Sequence, residues 1–305
     1  MGLRILSIAC VASVILGCSR SDTPRESSTA NSHPTPTSVA SEAVARKPSH
    51  ERPADAIRVA TYNINFANAQ LDAVIDAVRQ SHADVVCLQE TNATSETVMR
   101  RELGMRYPQM RFLGSVHPYL AGGFGIVSSL PIVSEKFVPP KHGLFGACVF
   151  EVKHQEERVQ IINVHLQPVI LPEKQGASGI VAVLRAFEQA EQIHAAEIRD
   201  ILTHASSKRA CLIVGDFNSI AASQAPALLA QQGFVDSFAA VNEDPDSQPT
   251  WHWPTRIGEA QLRIDYIFHT PSLRTVESRV IKTQGSDHYL LVSEIEISLD
   301  DQRQP

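Results

Sequence analysis

The chain has no CxxC pair and no Cys/His spacing of the kind that holds zinc, which excludes the common structural zinc modules. It has no apolar run of about 18 residues or more, the length a mature spanning helix needs. It has no excess of positive charge. The 27 Lys and Arg face 33 Asp and Glu, for a net charge of −6, so no global basic field gathers nucleic acid. It has no repeat of roughly 20–50 residues, which excludes solenoids and propellers. Aromatic residues are absent from 19–55, where 17 of the 37 residues are Ser, Thr or Pro, a stretch that cannot bury enough surface to fold. With 305 residues of 43% hydrophobic content, what remains suffices for one large core.

The longest apolar stretch, from Ile5 to Leu16, has the length of an export-signal core and follows Arg4. It ends in Ile15-Leu16-Gly17-Cys18, which resembles the bacterial lipoprotein processing box. That resemblance implies a lipidated Cys18 as the first mature residue, a membrane anchor, and a cell-envelope location on the periplasmic or extracellular face. Ser19, in place of Asp, points to an outer-membrane address. The alternative is an ordinary secretory peptide. The expected organisation is therefore a signal peptide over 1–18, a disordered linker over 19–56 and a folded domain over 57–305. Cys87, Cys148 and Cys211 are odd in number, and two lie in apolar runs. They read as small core residues, with one disulfide and one spare thiol as the alternative.

Within the domain, Ile57 to Tyr62 alternates like a strand, and 84–90 is a buried strand. Leu71, Val74, Ile75 and Val78 recur at helical spacing. Further helices are expected over 95–103, 180–205 and 223–232. Strands are expected over 125–128, 132–138, 146–152, 158–166, 211–214, 263–269, 275–282 and 289–297, with a loop over 168–179. Long helices alternating with many strands predict an α/β protein of mixed sheets with helices outside.

Six strand ends carry polar residues that a core strand does not need. They are Asn63, Glu90, His165, Asp216 with Asn218, Asp265, and Asp287 with His288. Each has a bland reading: Glu90 could cap the next helix, Asp265 could pair with Arg263, and Gly215-Asp216-Phe217-Asn218 could be a simple turn. Together they read as a site, because ionisable clusters mark sites. Carboxylates and amide oxygens without thiols suit a hard cation such as Mg2+ or Mn2+. A His paired with an Asp can take a proton from water near neutral pH. An Asn amide and a second His can hold phosphate oxygens as charge builds.

Thr61-Tyr62-Asn63, Leu88-Gln89-Glu90, Asn163-Val164-His165-Leu166, Gly215-Asp216-Phe217-Asn218, Ile264-Asp265-Tyr266-Ile267 and Ser286-Asp287-His288 resemble, in order, the motifs of the endonuclease/exonuclease/phosphatase superfamily. Gly122-Gly123-Phe124-Gly125 is similar to that family's glycine-led strand. The resemblance spans 57–297. It implies a four-layer α/β/β/α sandwich of two packed mixed sheets and a metal-dependent phosphoesterase, expected as a monomer. It implies Glu90 as principal metal ligand, supported by Asn63 and Asp287. It implies His288 as general base oriented by Asp265, Asp216 as positioner of the attacking water, and Asn218 and His165 as phosphate holders. Some members assign the base role to Asp216 instead.

The substrate is open among nucleic acid, sugar phosphates and phospholipid head groups. The run from His117 to Ala121 lacks the acid that deoxyribonucleases place before the glycine-led strand. After Ala56 there remain 21 Lys and Arg and 28 Asp and Glu, a net of −7. Arg111, Lys136, Lys141 and Arg185 are candidates for a local cleft. Trp251 and Trp253 are candidates for a site rim or for core packing. A phospholigand-binding lipoprotein without catalysis is the alternative function.

Overall fold

The computed structural model describes residues 52–114, 120–170, 178–206, 209–255 and 258–297. The expected signal, Cys18 and most of the linker lie outside them. In chain order the elements are β1 (Ala56–Asn63), α1 (Leu71–Ser81), β2 (Val85–Gln89), α2 (Ala93–Leu103), β3 (Gln109–Leu113), β4 (Phe124–Ser128), β5 (Ile132–Val138), β6 (Ala147–His154) and β7 (Glu157–His165). They continue with α3 (Ser178–Leu202), β8 (Cys211–Asp216), α4 (Gln224–Gln231), β9 (Val235–Asp236), β10 (Trp251–Thr255), β11 (Gly258–Leu262), β12 (Asp265–His269), β13 (Leu273–Ile281) and β14 (Leu290–Ile297).

The strands form two six-stranded sheets, ordered β13-β14-β1-β2-β4-β3 and β5-β6-β7-β8-β12-β9, and a β10-β11 hairpin. Both sheets are mixed: β1 runs parallel to β2 and β7 parallel to β8, while their other neighbours are antiparallel. Three apolar clusters separate the layers. Ile57, Val59, Cys87, Ile161, Leu212, Val214 and Ile267 fill the space between the sheets. Tyr62, Val86 and Leu88 pack outward with Val74, Val78 and Met99 of α1 and α2. Ile162, Ile213 and Phe268 pack outward with Ile198 of α3 and Leu229 of α4. This is the α/β/β/α sandwich.

Strand alternation follows directly from this layering. Side chains of one parity face the partner sheet and the other parity faces the helices. Residues 57 and 59 are inward, so Thr61 and Asn63 are too. The same count puts Gln89, Asn163, His165, Asp216 and Asp265 on the inward faces. Below the strand ends, Gln89 Nε2 donates to Asn163 Oδ1 at 2.7 Å and to Thr61 Oγ1 at 3.0 Å. Asn163 Nδ2 donates to the Leu88 and Gly125 carbonyls at 3.0 and 3.2 Å. These satisfied amides tie the two sheets together where the apolar core gives way to polar groups.

Some elements differ from expectation. The folded region starts ahead of 57: β1 begins at Ala56, and Arg52 pairs with Asp84 and donates from Nε to the Ala56 carbonyl at 3.1 Å. The α2 N-terminus is capped by Asn92, whose side chain accepts from Ser95 N at 2.9 Å, so Glu90 is released from that duty. The three domain cysteines are free and buried.

Candidate active site

Backbone register brings the polar strand ends together. His165 of β7 is the parallel partner of Asp216 of β8, and Asp216 is the antiparallel partner of Asp265 of β12. Three neighbouring strands thus deliver three ionisable side chains side by side. On the facing sheet, Asn63 ends β1 beside Gln89, and Glu90 follows in the left-handed region at φ 60°. His288 forms an isolated antiparallel bridge with Trp251, which fixes the last motif over the gap.

The glycine of the Asp216 motif has a steric reason. Gly215 has φ +143°, and a Cβ there would lie 1.9 Å from the Val164 carbonyl oxygen. Asn218 also adopts positive φ, at 48°. Its backbone N donates to Asp216 Oδ1 at 2.8 Å, and its Nδ2 donates to the Leu166 carbonyl at 2.9 Å.

Asn63 Nδ2 donates to Glu90 Oε1 and to Asp216 Oδ2, both at 3.0 Å, while its Oδ1 accepts from Asn65 N at 3.0 Å. Glu90 Oε2 accepts from Phe66 N at 3.0 Å. Asp287 accepts at Oδ1 from Asn65 Nδ2 at 2.9 Å and at Oδ2 from Trp251 Nε1 at 3.3 Å. His288 Nδ1 lies 2.9 Å from Asp265 Oδ2, and its Nε2 is 3.7 Å from Asp216 Oδ2. His165 Nε2 lies 3.6 Å from Asp216 Oδ2 and 3.8 Å from Glu90 Oε1. Its ring stacks on Phe145 with centroids 4.2 Å apart.

The electrostatics follow from crowding buried acids. Burial raises Glu90 and pushes Asp216 up to about 7. Burial alone would lower His288, but the Asp265 and Asp216 carboxylates outweigh it and push it up to about 10. Burial, aided by His288, lowers His165 to about 3, so this imidazole is neutral. Its Nδ1 faces the Ala121 carbonyl without completing a hydrogen bond, and no acid from the described residues reaches it.

The donor set fits a hard divalent cation. Glu90, Asp216 and Asp287 line one cavity, and no Lys or Arg lines it among the described residues. Asp265 Oδ1 is buried without a partner. Asp216, Asp265 and His288 offer ligand atoms within 4.8 Å of one another, a second way for this cluster to take a cation besides Glu90 with Asp287.

All eight predicted site residues therefore gather at one end of the sheet gap. The cationic candidates do not. Arg111 pairs with Glu135 at 2.9 Å, Lys141 pairs with Asp200, and neither they nor Lys136 and Arg185 line the cavity. Arg263 pairs with Asp236 at 2.7 Å, leaving Asp265 to His288. Trp251 lines the cavity. Sequence reasoning missed His194 of α3. Its Nε2 donates to the Gln167 carbonyl at 2.5 Å, and its Nδ1 accepts from Ser219 Oγ at 2.7 Å. One buried imidazole thus joins the segments that follow His165 and Asn218. A lone His within a helical run gives no signal of this.

Two mixed sheets with a carboxylate–histidine site at their open end define an α/β/β/α sandwich of the phosphoester-cleaving type. The model of the Endonuclease/Exonuclease/phosphatase family matches residues 60–288, and the chain belongs to that family. Solved structures share the fold. An endonuclease/exonuclease/phosphatase from Beutenbergia cavernae is 21% identical, with 80% of this chain and 72% of that one covered and a TM-score of 0.62. D. rerio TDP2 in complex with a single-strand DNA product is 14% identical, over 79% of this chain and 99% of that one, with a TM-score of 0.60. Sphingomyelinase C from Streptomyces griseocarneus is 17% identical, over 78% and 99%, with a TM-score of 0.57. A comparison with curated proteins found no match.

Proposed function

We propose that the chain is a divalent-metal-dependent phosphoester hydrolase tethered to the cell envelope. The observation that carries the reaction is the buried His288–Asp265 pair, 2.9 Å apart, with its free edge turned to Asp216 in a cavity shared with Glu90, His165, Asn218 and Asp287. A Mg2+ or Mn2+ held by Glu90 and Asp287, with Asn63 adjoining, would supply charge that polarises a phosphoryl oxygen and lowers the raised pKa values of its neighbours.

The protein's own groups account for the remaining steps. Asp265 holds His288 with its Nδ1 proton inward, so that the neutral form of His288 offers Nε2 to take a proton from water. Asp216 Oδ2, 3.7 Å from that nitrogen, fixes the water and shares the proton. Water oxygen bonds to phosphorus, the bond from phosphorus to the alcohol oxygen breaks, and the alcohol leaves with a proton. Neutral His165 presents an Nε2 proton to a non-bridging oxygen, and Asn218 holds the adjoining backbone against the same group. A binding-only role would use the phosphate-holding groups but would leave the His288–Asp265 pair without a task.

The lipoprotein-like end at Cys18 supports the tether. The test of the reaction is hydrolysis by the full chain with Mg2+, using supercoiled plasmid and small phosphoesters. A chelator should abolish turnover, and His288→Ala should lower kcat about 10²–10⁴-fold. Turnover that survives both changes would overturn the reading.

A further inference from the structure

The cavity of about 330 Å³ that holds the candidate site is lined by apolar as well as polar side chains. Beside the carboxylates, Phe145, Phe187, Ile220, Trp251, Leu262 and Ile264 line it. α3 and the β10-β11 hairpin supply half of these residues, Phe187, Trp251 and Leu262. The apolar character continues to the mouth. Leu120 is 71% exposed beside cavity-lining Ala121, and Ile170 is 61% exposed beside cavity-lining Val169. Trp253 is 43% exposed and lies parallel to Trp251 with centroids 6.4 Å apart.

The lining carries more acids than bases, His288 being the base that neighbouring carboxylates hold charged. Glu90, Glu191, Asp216 and Asp287 line the cavity, and no Lys or Arg does among the described residues. A polynucleotide would bring flanking phosphates to a cavity that offers them no Lys or Arg among the described residues. A sugar would bury hydroxyls against these apolar side chains at a cost in hydrogen bonds. An apolar substituent has neither difficulty. An apolar cavity of about 150 Å³ takes a benzene ring, so roughly half of this one suffices for a ring or a short chain beside the phosphate.

We propose that this chamber seats the organic substituent of the phosphoester, and that the substrate is the phosphate ester of an apolar alcohol. This rests on the hydrolase reading above. Water adds to phosphorus, the bond to the alcohol oxygen breaks, and the apolar alcohol departs into the chamber with a proton.

The test uses the full chain with Mg2+ and four esters, methyl, hexyl, phenyl and glucose 6-phosphate, each as monoester and as methyl diester. Alcohol release is measured. The hexyl and phenyl esters should exceed the methyl ester in kcat/KM by about tenfold or more, the worth of added apolar groups in a fitted pocket. The glucose ester should not exceed the methyl ester. Phe187→Ala and, separately, Leu262→Ala should lower the hexyl-to-methyl ratio. A flat series, a preference for glucose, or plasmid cleaved more readily than any apolar ester would overturn the proposal. If no ester is hydrolysed, calorimetric binding separates the two readings. Tighter binding of hexyl than methyl phosphate keeps the chamber while the hydrolase reading falls, and equal binding removes both.

Discussion

Asp216 touches more of the site than any other side chain, through Asn63, Asn218, His165 and His288. Its placement depends on the residue before it. Gly215 brings β8 so close to β7 that a methyl group would meet the Val164 carbonyl at 1.9 Å, in a backbone conformation that L side chains rarely adopt. Neither strand can retreat, because both are hydrogen-bonded on each side. Gly215→Ala should therefore cost roughly 3–5 kcal/mol, strain and overpacking together. Urea denaturation measures it, and a loss under about 1 kcal/mol would show that β7 gives way. The sequence could show that Gly215 ends an apolar run. It could not show the close approach, because Val164 is 51 positions away and only the parallel register brings it near.

At the scale of elements, parity explains why the site was legible. Once a strand is recognised, residues two apart share a face, so the inward position of Asn63, His165 and Asp216 follows from the apolar residues before them, and that of Asp265 from Ile267 after it. The β10-β11 hairpin was not legible. Its strands read Trp251-His252-Trp253-Pro254-Thr255 and Gly258-Glu259-Ala260-Gln261-Leu262, with proline in one and glycine in the other. Such edge pairing reads as a loop. The role of α3 was equally hidden, because its helical spacing shows a packed face and not what the face meets. Besides His194, that face carries Glu197, whose Oε2 accepts from Gln167 N at 3.2 Å. Burial pushes the Glu197 carboxyl from 4.5 up to about 8. The unfolded chain loses this proton first as pH rises. The stabilising contribution is therefore complete below about pH 4.5 and is lost progressively up to about pH 8. Glu197→Gln keeps the shape and removes the titration. From about pH 5 to 8, the wild type should lose on the order of a few kcal/mol relative to this variant. Urea midpoints of both proteins at the two pH values decide it, and a constant difference between them would exclude the effect.

Across the whole molecule, two features lie outside the reach of periodicity. One is the anchor. If Cys18 carries lipid, Cys18→Ser should move the protein from the membrane to the soluble fraction while its phosphoesterase activity remains. Unchanged fractionation would remove the tether. The other is the charge balance at the open end of the sandwich, which depends on residues from both sheets being gathered around one cavity. Burial raises Glu90 and Asp216, and the neighbouring Asp287 and Asp265 carboxylates add to it. An ion that binds only the folded protein stabilises it by about 2.7 kcal/mol at a hundredfold excess over Kd. For a domain of this size that is roughly 5–10 °C in Tm. Mg2+ or Mn2+ should produce this rise, and a chelator should reverse it. Glu90→Gln with Asp287→Asn should raise the Tm of the metal-free protein, because repulsion is relieved, and should remove the increment that metal adds. Calorimetric melts of both proteins, with and without metal, measure the two effects together. An increment that persists in the double variant would move the cation to Asp216, Asp265 and His288, and the absence of any increment in the wild type would deny the site a divalent ion.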